Sequence, residues 1–434
     1  MKTYRNYKDS GVQWIGKVPS HWNMAKLKYD FHIYAGATPK TENPIYWDGD
    51  IIWITPADYK TSDKYVSQGK RTISKEGYQS CNTQIVPKGS LIFSKRAPIG
   101  TIAIAVNELC TNQGCLSCVP KDVSSTYFFY IISVSTEAFE LLGYGATFKE
   151  ISANDFANVK LPLPPLSEQQ AIASYLDAKT KPIDDIIAKR EKQIELLEEM
   201  KSTIISRAVT KGLNPEAQMK DSGIEWIGEI PEGWDVIKTS FLFQLIGSGT
   251  TPSKNAPNYA EEGLYWLQTG DFNDNYVNDT SKYITDLAVQ NCSALTLFPK
   301  GCLVIAMYGA SIGKLGILNI ESYTNQACCV LGREKNILIK FAFYAYKAGR
   351  KALINESRGG GQPNISQDII SHFKIPVPPI NEQCNVIAYL DTETSKIDTR
   401  IAKRRKQIEL LQEYKQALIT AAVTGKIDVR DYIS

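Results

Sequence analysis

The stretch "IAKREKQIELLEEMKSTIISRAVTKG" runs from Ile187 to Gly212, and "IAKRRKQIELLQEYKQALITAAVTGK" runs from Ile401 to Lys426. Both read as helix. In the first, an apolar seam passes through Ile183, Ile187, Ile194, Leu197, Ile204 and Ala208, with Arg190 and Lys201 at the two seam positions between. In the second it passes through Ile397, Ile401, Ile408, Leu411, Leu418 and Ala422, interrupted by Arg404 and Lys415. Steps of three and four mark a coiled-coil-like stripe, and Gly212 and Gly425 are natural stops. Upstream, the prolines of "PLPPLSEQQAIASYLD" end any earlier element, and Ser167, or Asn381 in the copy, can cap a first helical stretch that the longer helix follows. Each long helix is expected to have about 30 residues and to be roughly 45 Å long. Two nearly identical apolar stripes in one chain are expected to pack on each other. They should run antiparallel, because a whole domain folds between them. The blander reading packs each helix on its own domain.

The duplication continues outside the helices. "KDSGVQWIGKVPSHW" at Lys8 answers "KDSGIEWIGEIPEGW" at Lys220, and "GATPK" at Gly36 answers "GTTPSK" at Gly249. "TNQGC" at Thr111 answers "TNQAC" at Thr324, and "LPLPPLSEQ" at Leu161 answers "IPVPPINEQ" at Ile375. The chain therefore divides into residues 1–166, 167–214, 215–380 and 381–434, a tandem pair of similar units. The large blocks carry short β-branched and aromatic runs such as "GDIIWIT" and "GCLVIAM" between Gly, Pro and Asn. Helical stretches begin near Ser124 and Ile337. The expected fold class is α+β: two similar globular mixed α/β domains joined by two long antiparallel coiled-coil-like helices, pseudo-twofold. The doubled Trp-rich entry reads as a structural anchor.

A chain of 434 residues, 43% hydrophobic and 22% charged, has the composition of a multidomain globular protein. Net charge is only +3, divided as +4 in residues 1–166 and −2 in 215–380, so a nucleic-acid site must be a local patch. No apolar run is long enough for a membrane span. The N-terminus lacks the apolar core of a signal peptide, and nine scattered cysteines suit reduced thiols, so a cytoplasmic protein is expected. Chemistry is sparse. There are three histidines and no phosphate-binding glycine loop. Asn43-Pro44-Ile45-Tyr46 approaches the base-stacking motif of adenine methyltransferases, but the second proline is missing. Asp58 and Lys60 approach a nuclease edge, but the copy at Asp271 loses the lysine. Cys115 and Cys118 have no second pair at zinc-site spacing. No catalytic residue, metal ligand or cofactor is expected in this chain.

Taken in order, these motifs resemble the DNA-specificity subunit of type I restriction-modification systems. The resemblance covers nearly the whole chain, twice. It implies two target-recognition domains, each followed by a long helix. Each domain would read one half of a bipartite, asymmetric site on double-stranded DNA. The helices would space the readers and dock two modification subunits, which carry S-adenosylmethionine and methylate adenine. A separate motor-nuclease subunit completes the restriction complex. The subunit itself is non-catalytic. The reading from another class is a coiled-coil assembly scaffold that binds protein partners with no DNA readout.

Loops where the copies diverge are the expected base readers, because shared positions build the fold. "SKRAPIG" offers Ser94, Lys95 and Arg96, and its counterpart offers Met307 and Tyr308. "GYGATFKEIS" offers Tyr144, Thr147 and Lys149, and "ESRGGGQPNIS" offers Arg358, Gln362 and Asn364. Arg suits guanine, and Gln or Asn suits adenine. Thr38 and Lys40, with Thr251, Ser253 and Lys254, are expected at phosphates.

Overall fold

The computed structural model describes residues 2–96, 98–145, 149–253, 258–357 and 364–432. The chain forms two compact units, one of residues 1–191 with 406–434, the other of residues 192–405. Each unit therefore holds one globular domain and parts of both long helices.

In the first unit, a five-stranded sheet has the order Phe31–Ala35, Cys115–Pro120, Leu91–Ser94, Ile102–Ala105, Tyr65–Val66. Its neighbours are antiparallel except the last pair. The helix Ser125–Ser133 contributes Tyr127, Phe128, Ile131 and Ile132 to the core on one face, with Phe93 and Leu116 from the sheet. The second unit repeats this order with Phe243–Ser248, Cys328–Glu334, Leu303–Ala306, Leu315–Leu318 and Asn275–Val277, again with only the last pair parallel. Leu303 to Ala306 are completely buried, which explains why "GCLVIAM" reads as a continuous apolar run and not as an alternating one. The stretch after Ser124 is two helices, Ser125–Ser133 and Thr136–Leu141, whereas its counterpart is the single helix Ile339–Asn355.

A short antiparallel pair closes each domain, Asn23–Lys26 on Lys160–Leu163 and Asp235–Lys238 on Lys374–Val377. It brings the domain's entry beside its exit. The long helices start immediately afterwards and are longer than the seams suggest: Leu166–Lys211 has 46 residues and Ile380–Val423 has 44. The first is continuous through Pro182, which can donate no bond to the Ala178 carbonyl. Ser167 and Asn381 lie inside the first turn and not at the cap. The start is held by the next residues instead. Gln169 is buried, accepting from the Ser124 N–H at 2.9 Å and donating to the Pro164 carbonyl at 2.9 Å. Gln383 does the same with Leu338 N at 2.8 Å and Pro378 O at 2.8 Å.

The doubled entry motif is a hairpin, Tyr7–Asp9 on Lys17–Pro19 and Met219–Asp221 on Glu229–Pro231. It ends in Trp22 or Trp234, both fully buried. Each indole N–H donates to a glutamate in the first helical turn, Trp22 to Glu168 at 2.9 Å and Trp234 to Glu382 at 2.8 Å. The other side of each ring meets the end of the opposite long helix. A methyl on Gly425 would overlap Pro19 and crowd Trp22, and one on Gly212 would crowd Trp234. Both glycines also take positive φ, 71° and 70°.

The expected helix seam is apolar and largely out of solvent. Ile183, Ile397, Ile401 and Leu418 are buried, while Ile187, Ile194, Leu197, Ile204, Ile408 and Leu411 are half-buried. Within the first unit, Ile183, Ile187, Leu411, Leu418, Ala422 and Val423 join the core that holds Trp22. Ile204, Ile205, Val209, Val386 and Leu390 join the core that holds Trp234. Each domain thus packs on both helices, so packing on its own helix alone is too narrow a description. The two lysines that interrupt the stripe have partners on the other helix: Lys415 with Asp184 at 2.6 Å in the first unit, Lys201 with Asp398 at 2.6 Å in the second. In the second unit Glu198 also meets Arg405 at 3.1 Å, and with Lys201–Asp398 this fixes an antiparallel course.

The two anchors differ in depth. Glu168 is buried and also accepts from Tyr4 at 3.2 Å and meets His21 Nε2 at 2.6 Å, whereas Glu382 is exposed. Removing a buried acceptor orphans every donor around it. Glu168→Ala should lower stability by about 3 kcal/mol and Glu382→Ala by about 1 kcal/mol. Chemical denaturation of the two variants beside the parent checks the ranking.

Candidate nucleic-acid interface

One loop cluster recurs in both domains. It begins with a glycine, Gly36 or Gly249, whose missing side chain lets the backbone lie against the Thr111 or Thr324 carbonyl; a methyl group there would overlap that oxygen. The next loop is tied down by an indole, Trp53 Nε1 donating to Ala37 O at 3.0 Å and Trp266 Nε1 donating to Thr250 O at 3.1 Å. The Thr-Asn-Gln run lies across from it. Its threonine is buried in both domains. Its asparagine closes a turn, Asn112 accepting from Gly114 N at 2.9 Å and Asn325 from Ala327 N at 3.0 Å. Its glutamine is exposed. The Thr38 hydroxyl donates to Gln113 Oε1, and the Thr251 hydroxyl donates to Gln326 Oε1 at 2.5 Å.

Beside this shared platform the domains differ. Lys95 N donates to Gly114 O at 2.9 Å, as Met307 N does to Ala327 O at 2.8 Å. Ile151 N donates to Lys95 O at 3.1 Å, as Ile365 N does to Met307 O at 2.8 Å. This register makes Arg96 the counterpart of Tyr308 and Glu150 the counterpart of Asn364, and both couples form backbone bridges. In the first domain, Lys95 Nζ meets Glu150 Oε1 at 2.7 Å and Arg96 meets Oε2 at 3.2 Å. Burial pushes the Glu150 carboxyl up, but the two cations outweigh it and hold it below its ordinary range. In the second domain burial raises the Tyr308 hydroxyl, and the nearby Gln326 side chain works against that rise. A cleft of about 710 Å³ opens next to Thr251, walled by Tyr259, Trp266, Gln268, Tyr283 and Asn325.

Residues 19–196 and 231–410 match the family described as the type I restriction modification DNA specificity domain. The chain belongs to that family. It is 28% identical over 431 residues to the MjaIX type I restriction enzyme specificity subunit of Methanocaldococcus jannaschii, covering 96% of each chain. It is 26% identical over 202 residues to the EcoR124I/EcoR124II specificity subunit of Escherichia coli, 45% of this chain and 46% of that one. A solved chain of a type I R-M system shares its fold, with a TM-score of 0.69 at 17% identity over 94% of this chain and 98% of that one. As a specificity subunit it is a DNA-recognition component and not a catalyst. In keeping with this, the near-motifs are structural. Asn43 caps the turn Pro44–Tyr46, accepting from Ile45 N at 3.2 Å. Asp58 and Asp271 cap equivalent turns at Thr55 N and Gln268 N, each at 2.7 Å. Cys115 and Cys118 are buried strand residues, and burial pushes the Cys115 thiol up to about 12.

Two of the expected contact residues of this specificity subunit are corrections. Ser94 is completely buried and donates to the Arg96 and Pro98 carbonyls at 3.0 and 2.8 Å, so it shapes the loop and faces no ligand. Met307 is buried in the second core, because it is the continuation of the strand Leu303–Ala306. Lys95 is mostly covered and engaged by Glu150. Arg96 is half-exposed, and Lys40, Tyr144, Lys149, Thr251, Ser253 and Asn364 are exposed. Ser253 accepts from the Asn258 amide at 2.7 Å. Tyr144 pairs by its backbone with Glu150, on the side away from Arg96. Thr147, Lys254, Arg358 and Gln362 lie outside the described residues. Sequence reasoning misses Gln113, Gln326 and Glu150. Agreement between the copies marks the first two as scaffold, although their polarity in an otherwise structural run is a signal.

Glu150 cancels two cations at this edge. Glu150→Gln should tighten non-specific DNA binding and steepen its log–log salt dependence by roughly one. Fluorescence titration of the complex at several salt concentrations checks this.

Proposed function

We propose that the chain reads a split, asymmetric target on double-stranded DNA, one half per domain, and directs partner subunits to it. The observation that carries this is the doubled loop cluster. The same Gly–Trp–Thr–Gln platform appears in each domain, and the residues beside it differ. Two similar readers with unlike edges suit two unlike half-sites.

The partners in this reading are two modification subunits, with motor-nuclease subunits in the restriction complex. Methyl transfer to adenine uses S-adenosylmethionine held by the modification subunits, and this chain supplies no cofactor site. The long helices are the docking and spacing element. The setting is the cytoplasm; no described helix is long and apolar enough to cross a membrane. Direct base contacts fall to Arg96, Tyr144, Lys149, Tyr308 and Asn364, with Thr147, Arg358 and Gln362 from the same loops. Thr38, Lys40, Thr251, Ser253 and Lys254 act at the backbone of the duplex. With a net charge of +3, the isolated chain should bind DNA weakly and with strong salt dependence, because partner cations supply the remaining phosphate contacts.

Co-expression with a modification subunit, followed by mapping of methylated adenines, tests the model. One split motif is expected. Replacing residues 86–150 by the same segment of another specificity subunit should change one half and leave the other. Changes in both halves, or methylation with no sequence preference, would refute one reader per half. The second outcome would support a scaffold that only assembles its partners.

A further inference from the structure

Gln113 and Gln326 stand apart from the run that carries them. Thr111 and Thr324 are buried, and Thr324 Oγ1 accepts from Gly249 N at 3.0 Å. Asn112 and Asn325 complete turns and donate their N–H groups to the Ile54 and Leu267 carbonyls, both at 2.9 Å. The fold uses these four residues. It does not use the two glutamine amides, which project to solvent. Yet each is met by a threonine hydroxyl from the facing loop, in the same arrangement in both domains. The residues next to them, half-buried except for the exposed Asn364, are free to differ and do so: Arg96 against Tyr308, and Glu150 against Asn364.

We propose that Gln113 and Gln326 read the same base, adenine, once in each half-site, while the unlike neighbours read the bases that differ between the halves. This rests on the split-target reading above. A carboxamide offers a donor and an acceptor side by side, matching adenine N7 and N6 in the major groove. The threonine hydroxyl occupies one lone pair of Oε1. The second lone pair and an N–H donor stay available for the bidentate contact. The same threonine bond restrains a long side chain that would otherwise lose rotamer freedom on binding. The backbone bonds from Lys95 N to Gly114 O and from Met307 N to Ala327 O set Arg96 close to Gln113 and Tyr308 close to Gln326, so shared and divergent readers address neighbouring base pairs. Arg96 suits guanine; Tyr308 and Asn364 do not offer that fork of donors.

The experiment uses the full chain in complex with its modification subunits and a DNA library randomised at both half-sites. Methylation is read by sequencing for the parent, Gln113→Leu, Gln326→Leu and the double variant. Each single variant should lose preference for adenine at one position of one half only, discrimination there falling about 10- to 100-fold. The two positions should be equivalent within their halves, and the double variant should lose both. Melting temperature and complex formation should match the parent, because both side chains are exposed. A uniform fall in methylation with unchanged base preferences makes these phosphate contacts and overturns the proposal. Unchanged preference and rate make them solvated side chains and overturn it equally. If the parent itself shows no split motif, the split-target reading fails and takes the proposal with it; a split parental motif left intact in Gln113→Leu overturns only the adenine assignment.

Discussion

The hydrogen bond from a buried indole to a helix-start glutamate, Trp22 to Glu168 and Trp234 to Glu382, joins the parts of each unit. A domain whose entry and exit strands pair side by side delivers the chain at a single point, where the long helix begins. That point needs a stop against rotation. The indole supplies it: its N–H edge is held by the glutamate and the far end of its ring lies near the glycine that ends the other long helix. The neighbouring Gln169 and Gln383 complete the lock by taking backbone groups from two other segments. A buried carboxylate is costly unless donors surround it. Glu168 has three, and Glu382, closer to water, has one among the described bonds.

With the helix start fixed, the recognition platform can be built from few parts. They are a glycine that permits close approach, a tryptophan that ties one loop, and an asparagine that closes the next. All three serve the backbone. They hold one exposed Thr–Gln couple at a set place and leave the adjoining edge free to carry different side chains. An ion-paired edge with Arg96 and Glu150 and a neutral one with Tyr308 and Asn364 occupy the same register. Such a division separates what must be constant for folding from what can vary for recognition.

The long helices obey the same logic. Lysines within an apolar stripe would weaken it if left alone. Here Lys201 and Lys415 reach aspartates on the facing helix. Ion pairs at exposed positions add little stability. Their value is direction: each pair matches only in the antiparallel register seen within its unit.

The tandem duplication, the α+β blocks, the apolar seams and the anchoring role of the entry tryptophans are all legible in the sequence, because each is a local pattern or a repeat of one. Periodicity exposes a helix face, and a doubled Trp-Gly hairpin exposes a structural need. Helix starts, burial and partners are not legible. Ser167 has the chemistry of a cap, yet the helix begins before it, since the fastening is made by Trp22, far away in sequence. Ser94 and Met307 sit in a divergent loop by alignment but turn inward, because strand continuation places them in the core. Gln113 and Gln326 look like scaffold by their agreement and face water in space. Local sequence determines which elements form. Which side of an element meets solvent depends on contacts between residues distant along the chain, and those exist only once the domain has closed.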